Sequence, residues 1–266
     1  MPVNDDLGTR MKSYYENISK TKLIRRTPVA IRIDGKAFHT FTSGFDRPFD
    51  KVLMTTMQET TKYLCENIQG CVFGYTQSDE ITLILIDYRR LNSSAWFDYE
   101  VQKICSIAAS MATMVFNKFF GKYVDKYRFN KWDGISKYED GTQEYIQTLL
   151  NAVDKGAMFD ARCFNIPKEE VTNLIYWRQL DATRNSIQMV GQANFSHKEL
   201  QNKNCNDIQN MLLTERDINW NNYPTNCKRG TAVIKEDGCW IIDDFMPILK
   251  GENRQYVDRF VFVGEE

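Results

Sequence analysis

Apolar and polar positions form their first clear pattern between residues 29 and 39. The run from Val29 to Ile33 is apolar and β-branched except for Arg32, and it ends at Asp34, which Gly35 follows. Such a run is typical of a β-strand that ends in a turn. The pattern predicts a strand over about 28–34 with Asp34 at its end.

A second stretch, residues 71–88, repeats this arrangement. Two strand-like runs flank the polar segment Gln77-Ser78-Asp79-Glu80. Two such runs separated by a short polar segment predict a β-hairpin. Asp79 and Glu80 are therefore expected at its tip.

Two helical stripes accompany these strands. Apolar residues recur at helical spacing over 49–68 and again over 97–119, where small residues stand between large ones. The order strand, helix, strand, strand, helix predicts an α+β fold of the split βαβ kind. Its sheet is expected to be antiparallel or mixed, with helices on one face.

The other segments are predicted from shorter patterns. Residues 7–20 indicate a short polar helix, and residues 121–157, with four glycines, indicate an irregular and mobile segment. Ser196 and Glu199 have the spacing of a capping box. The remaining predictions are strands at 159–166 and 256–263, helices at 168–178 and 182–193, and a hairpin of 229–235 with 239–245.

Two strand ends that each carry an acid favour a divalent-metal site. Magnesium prefers hard oxygen ligands and is usually held by one or two carboxylates together with the phosphates of its substrate. A pair of such ions stabilises both the attacking and the leaving oxygen of a phosphoryl transfer. Asp34 and Asp79 fit this chemistry, but they equally fit ordinary polar turns, and both interpretations stay open.

Composition excludes several classes of protein. With 266 residues, 42% apolar content and a net charge of −1, the chain is typical of a globular protein, and no continuous apolar run suggests a membrane span. The first twenty residues lack the apolar block of a signal peptide. The seven cysteines contain no Cys-x-x-Cys pair, so we expect reduced thiols and a cytoplasmic location, with an organelle left open.

Basic residues concentrate in residues 101–137. Seven lysines and arginines stand there against two aspartates. The patch fits a phosphate-binding surface, and it also fits a solvated helix face.

Six motifs, taken in order, make the chain resemble the tRNA-His guanylyltransferase family. They cover roughly residues 10–240 and begin at Arg32, Gln77, Phe159, Tyr176, Asn219 and Lys228; they read RIDGKAFH, QSDE, FDAR, YWRQLD, NWNN and KRGT. The resemblance implies a polymerase-like palm over 1–140, with a C-terminal α/β extension over 141–266 that packs on it and serves RNA binding or oligomerisation. It also implies nucleotide addition to RNA 5′ ends in the 3′-to-5′ direction.

The family's roles are carried over only onto matching positions. Asp34 and Asp79, with the backbone carbonyl of Gly35, would hold two magnesium ions, and Glu80 would support that site. ATP and GTP would be substrates. The residues expected along the nucleotide are Gly35, Lys36, Ala37, Phe38, His39, Arg47, Asp50, Ser78 and Lys103, of which Arg47 replaces a family lysine.

One departure concerns RNA specificity. Eukaryotic members carry a His-Ile-Asn-Asn-Leu-Tyr run, tied to reading the tRNA-His anticodon, where this chain has residues 183–188, TRNSIQ. The chain therefore resembles the guanylyltransferase-like branch, which implies template-dependent repair of truncated tRNA by a homotetramer. Alternatives are a tRNA-His-specific enzyme, a nucleotidyl cyclase and a non-catalytic tRNA-binding protein.

Two further features of these motifs have open interpretations. Trp177, with Arg178 and Gln179, fits either the family motif or a core tryptophan flanked by a capping pair. The asparagines fit either RNA binding or turn capping; they are Asn185, Asn219 and Asn221.

Overall fold

The computed structural model describes residues 6–129 and 142–263. Its six strands are β1 (Val29–Gly35), β2 (Cys71–Gln77), β3 (Glu80–Leu85), β4 (Phe159–Asn165), β5 (Thr231–Glu236) and β6 (Cys239–Asp243). They form one sheet in the order β4-β1-β3-β2-β5-β6, in which every neighbouring pair is antiparallel. The predicted antiparallel sheet and both predicted hairpins are confirmed.

Ten α-helices lie in the described residues: α1 (Asp6–Met11), α2 (Phe38–Phe41), α3 (Lys51–Asn67), α4 (Val101–Arg128), α5 (Thr142–Lys155), α6 (Lys168–Asn194), α7 (His197–Leu200), α8 (Cys205–Arg216), α9 (Thr225–Arg229) and α10 (Gln255–Val261). The first continues as helical turns to Ser19, as predicted for 7–20. The capping box of Ser196 and Glu199 at the start of α7 is also confirmed.

The helices α3, α4 and α5 cover one face of the sheet. Alternate residues of β1 and β3, among them Ile31 and Leu83, are fully buried against Leu64, Phe116 and Leu149. This is the face on which the apolar stripes predicted helices. Burial of such large side chains stabilises the layer by about 1.5–3 kcal/mol each.

The opposite face is covered by α6 and α10. Ala30 and Ile84, which alternate with the first set along β1 and β3, pack with Ile175, Val257 and Val261. Because β3 is buried on both sides, its sequence is almost continuously apolar, which is ordinary for a central strand covered by two helical layers.

Two predictions for the second half of the chain are wrong. Helices expected at 168–178 and 182–193 are one helix, α6, since Asp181 forms ion pairs with Arg178 and Arg184 along its length. The strand expected at 256–263 is the helix α10, whose residues Val257 and Val261 are fully buried one turn apart.

The irregular segment expected at 121–157 is helical at both of its ends. Residues 121–128 belong to α4, and residues 142–155 form α5, which buries Leu149 and Ala152 on one side. The middle of that prediction lies outside the described residues.

The two-part domain division stays a prediction. The boundary near residue 140 lies outside the described residues. Strands from both parts share one sheet, since β4 pairs with β1, and β5 pairs with β2.

Helix α4 is long and apolar enough to cross a membrane by length and composition alone. In this fold it packs lengthwise on α3 and β4, with Ile104, Ala108 and Phe116 fully buried. Its buried side packs in the helical layer on the sheet, and its other side is exposed, for example at Lys103 and Met114.

Candidate active site

The two predicted acids meet at one end of the sheet. Asp34 lies opposite Glu80 in the register of β1 and β3, and the Gly35 N–H donates to the Asp79 carbonyl oxygen at 3.2 Å. The turn is tight, because Ser78 adopts a left-handed φ of 51°. Its hydroxyl donates to the Asp79 carboxylate at 3.0 Å.

Both carboxylates are held in an unfavourable electrostatic setting. Burial raises the pKa of Asp79 to about 6, and the negative charges of Asp34 and Glu80 add to that shift. Burial, then Glu80 and Asp160, raise the pKa of Asp34, while Arg162 and Arg32 oppose the shift. Neither carboxylate forms an ion pair with a residue in the two described ranges.

This donor set fits a magnesium ion that shares its coordination with a substrate. The described residues hold no group of three or more acidic, histidine or cysteine side chains that could bind a metal by themselves. Magnesium accepts such sparse protein coordination, because water and phosphate oxygens supply its other ligands. A cation would relieve the repulsion between Asp34 and Asp79.

Glu80 is bound to basic side chains. Its two oxygens accept from Arg32 at 3.2 Å and from Arg178 at 3.0 Å, and Gln77 donates to it at 3.1 Å. Glu80 therefore anchors the acidic turn to β1 and α6, which agrees with a supporting role.

A cavity of about 570 Å³ opens beside Asp79. Eight predicted site residues line it, together with Asp46. The eight are Gly35, Ala37, Phe38, His39, Arg47, Asp50, Ser78 and Asp79. Its volume is within the range of nucleotide and cofactor pockets. Asp34 borders it through Gly35.

The backbone after β1 supplies a narrower anion site than the sequence predicts. The N–H groups of Gly35 and Lys36 already donate to Asp79 and to Met158, at 3.2 and 2.8 Å. The predicted nest is thus confined to residues 37–39, where Ala37 has a left-handed φ of 54° and α2 begins.

The Phe38 ring packs into the core at the border of this cavity. Its ring is buried and packs against Phe41, Phe116 and Phe159 with centroids 5.0–5.7 Å apart. A Cβ at Gly35 would lie 2.2 Å from this ring, so the close approach requires glycine.

Asp50 has a structural task within the cavity wall. It caps α3 by accepting from the Leu53 N–H at 2.8 Å, and it also accepts from the Asp46 N–H and the Tyr145 hydroxyl. Burial raises its pKa despite these bonds. Arg47 lines the cavity from the same loop.

Lys103 does not line this cavity. It is exposed, and its Nζ lies 5.3 Å from the ring centroid of Phe97. Nearby Cys105 contacts Cys163, which lies opposite Ile31, well inside the sheet from Asp34. The phosphate-binding role of Lys103 stays a prediction.

The structure adds residues that the sequence did not indicate. Met189 and Gln192 of α6 complete the cavity wall, although they follow Asp34 by more than 150 positions and Asp79 by more than 100. A smaller neighbouring cavity also contains Met189, together with Asn185 and Asn226. The periodicity of α6 alone could not show which end of the sheet it reaches.

The structure shows where the residues of two motifs with open interpretations lie. Trp177 is 52% exposed and is not a core residue, while Arg178 and Gln179 are buried inside α6 and cap nothing. Asn219 caps a turn, because its side chain accepts from the Asn221 N–H at 3.0 Å.

A family model described as tRNAHis guanylyltransferase (Thg1) matches residues 8–167, and so includes both acids, the cavity loop and β4. The chain belongs to this family. It is therefore a nucleotidyltransferase of the tRNAHis guanylyltransferase family, and its palm-like α+β fold agrees with the expectation from its sequence.

Solved structures of the family resemble the chain over nearly its whole length. A bacterial tRNA(His) guanylyltransferase (Thg1)-like protein in complex with ATP is 40% identical, has a TM-score of 0.81, and covers 97% of this chain and 100% of its own. The same kind of protein in complex with GTP is 37% identical with a TM-score of 0.75, at the same coverage. A probable tRNA(His) guanylyltransferase of Dictyostelium discoideum is 26% identical over 80% of this chain and 77% of its own.

Proposed function

We propose that this chain adds nucleotides to the 5′ end of truncated tRNA, using nucleoside triphosphates and the opposite RNA strand as template. The observation that carries the proposal is that Asp34 and Asp79 meet at one end of the sheet, where Asp79 and Gly35 line a cavity of about 570 Å³. The similarity to bacterial Thg1-like proteins in complex with ATP and with GTP supports both nucleotides as substrates.

Asp34 and Asp79 would hold magnesium. When bound, magnesium would neutralise the phosphates and stabilise the attacking and leaving oxygens. The carboxylates themselves cannot do this, since they repel a triphosphate. Burial and neighbouring carboxylates raise the pKa of each, which a bound cation would counteract.

The loop residues would bind the triphosphate. The N–H groups of residues 37–39 and the guanidinium of Arg47 supply donors along one wall of the cavity, and Ser78 supplies a hydroxyl near Asp79. Where the RNA ends in a monophosphate, ATP or GTP would first transfer its nucleoside monophosphate to that phosphate and release pyrophosphate. The 3′-hydroxyl of the incoming nucleotide would then lose its proton to solvent, attack the activated 5′ phosphate and displace AMP or GMP, with positioning supplying most of the rate.

Thr183 and Arg184 support repair over recognition of one anticodon. The Thr183 hydroxyl donates to the Gln179 carbonyl within α6 at 2.9 Å, and Arg184 pairs with Asp181. RNA sequence is read by stacking and by hydrogen bonds to base edges. The Thr183 donor is already used within α6, and the Arg184 guanidinium, which could stack on a base, is engaged by Asp181. We also propose a homotetramer, on the family resemblance alone.

A lengthening assay tests this function. Purified protein is given tRNA transcripts that lack 5′ nucleotides, with magnesium and each triphosphate in turn. The expected product is longer by the missing nucleotides, while full-length tRNA and the Asp79→Asn variant serve as controls. Absence of lengthening with every triphosphate would contradict the proposal.

A further inference from the structure

Trp177 lies on the exposed side of α6. Val171, Ile175 and Gln179 of the same helix are at most 1% exposed, whereas 52% of Trp177 and 50% of Leu180 are open to solvent. A single exposed apolar side chain is ordinary, but an aromatic ring exposed beside charged groups offers a surface for stacking.

Two guanidinium groups fix the ring in place. The Arg178 Cζ lies 4.3 Å and the Arg32 Cζ lies 5.5 Å from the ring centroid. Both arginines also pair with Glu80, at 3.0 and 3.2 Å. Trp177 is thus tied through two cation–π contacts to the residue that directly follows Asp79.

The ring lies beside the acidic edge and not inside the cavity. Along β1, Asp34 stands between Arg32, which contacts Trp177, and Gly35, which lines the cavity. Arg162 lies opposite Arg32 on the edge strand β4 and is 59% exposed at its side chain. An RNA end at Asp34 would therefore have the cavity on one side and Trp177 with Arg162 on the other.

Resting on the proposed function, we propose that Trp177 is a stacking platform for an unpaired nucleobase of the RNA strand opposite the 5′ end. An exposed aromatic ring can stack on any base, and cations beside it can bind the phosphate of the same nucleotide. Arg162, paired only loosely with Asp160 at 3.4 Å, is placed to meet the phosphate. A truncated acceptor stem presents such unpaired bases wherever 5′ nucleotides are missing.

The test compares two labelled RNA hairpins, one with a recessed 5′ end and one with a blunt end. Their affinities are measured by fluorescence anisotropy without nucleotide or magnesium. For Trp177→Ala we expect a roughly tenfold or larger loss on the recessed hairpin, the size of one lost base–aromatic stack, and little change on the blunt one. Trp177→Phe should retain most of the affinity. Leu180→Ala, which removes a side chain of similar exposure one turn away, is the matched control and should change neither.

Three results would overturn the platform. Trp177→Ala could bind the recessed hairpin as tightly as the wild type, or it could lose affinity for both hairpins equally. It could instead change the mass of the assembly in light scattering while the affinities stay constant, which would assign the ring to a contact between copies. Wild-type lengthening of the recessed hairpin is measured in parallel, so failure of the proposed function itself is seen separately.

Discussion

Asp34 and Asp79 are destabilising residues in the metal-free chain. Burial and the negative charges of neighbouring carboxylates raise the pKa of each, so the folded protein tolerates charge there at a cost. Side chains kept at such a cost are characteristic of functional sites. Their contribution to stability and their contribution to activity should therefore have opposite signs.

Replacing either acid by its amide tests that opposition. Asp34→Asn and Asp79→Asn should each reduce lengthening by more than about a hundredfold, because the lost charge serves phosphate chemistry. The double variant should be little worse than either, since residues that act as a unit are not additive. Urea unfolding without divalent ions should show stability equal to or above that of the wild type. An amide variant with wild-type rate at saturating magnesium would remove that residue from the site.

The sequence predicted these acids because each follows a strand pattern that is local. It did not predict how Phe38 or Asp50 would be used. Phe38 is turned into the core by packing against α4 and β4, and Asp50 is enclosed by Tyr145 from α5. Those partners are 78 to 121 positions away from Phe38, and 95 from Asp50, and no local pattern reports them.

Among the elements, α3 depends on Asp50 at its start. The carboxylate accepts the Leu53 N–H and is buried, with its pKa raised mainly by that burial. A raised carboxylate pKa means that the folded state loses stability as pH rises from the ordinary value through the folded value. Part of the wild-type stability should therefore be lost between acidic and neutral pH.

Two variants separate the cap from the charge. Asp50→Asn keeps a good cap and should flatten the pH dependence of unfolding free energy. Asp50→Ala removes the cap and leaves the Tyr145 hydroxyl without its acceptor, so it should cost about 1–3 kcal/mol. Urea titrations at pH 4.5 and 7.5 measure both. If the unfolding free energy changes equally between pH 4.5 and pH 7.5 in the wild type and in Asp50→Asn, the pKa of Asp50 is not raised.

The end of the chain shows where sequence patterns fail for an element. Residues 256–263 have the β-branched and aromatic content of a strand, but Val257 and Val261 bury one helical face against β2 and α6. Tertiary packing overrides propensity in such short segments. In the same way, ion pairs within α6 carry the helix through Asp181.

Substitutions at alternate positions distinguish the two structures of this segment. A helix predicts that Val257→Ala and Val261→Ala are each destabilising by roughly 1–3 kcal/mol, while Arg259→Ala is nearly neutral. A strand would place 257, 259 and 261 on one face. A thermal-unfolding loss at Arg259 as large as at the valines would contradict the helix.

At the scale of the molecule, both halves of the chain build one sheet. Central β1 pairs with β4 on one side, and β2 pairs with β5, so each half completes the hydrogen bonding of the other. The layer order was predictable from the strand and helix pattern up to residue 119. The second helical layer was not predictable. The apolar sequence of β3 indicates that both of its faces are buried, but not which later segment covers the second face.

This shared sheet predicts one cooperative unfolding transition. Separate fragments would expose the apolar faces that the halves now bury against each other. Far-ultraviolet circular dichroism and tryptophan fluorescence should give the same urea midpoint. Two resolved transitions would show that the predicted division near residue 140 separates independent domains.

We propose that pairing with the opposite strand, and not the anticodon, selects the nucleotide added. The most direct test of this proposal uses truncated tRNA-His, the same molecule with a foreign anticodon, and versions with each base opposite the missing nucleotide. We expect the added triphosphate to follow the opposing base, and the foreign anticodon to change the rate less than about threefold, or 0.7 kcal/mol. A preference of about a hundredfold for the native anticodon, or about 2.7 kcal/mol, would contradict it.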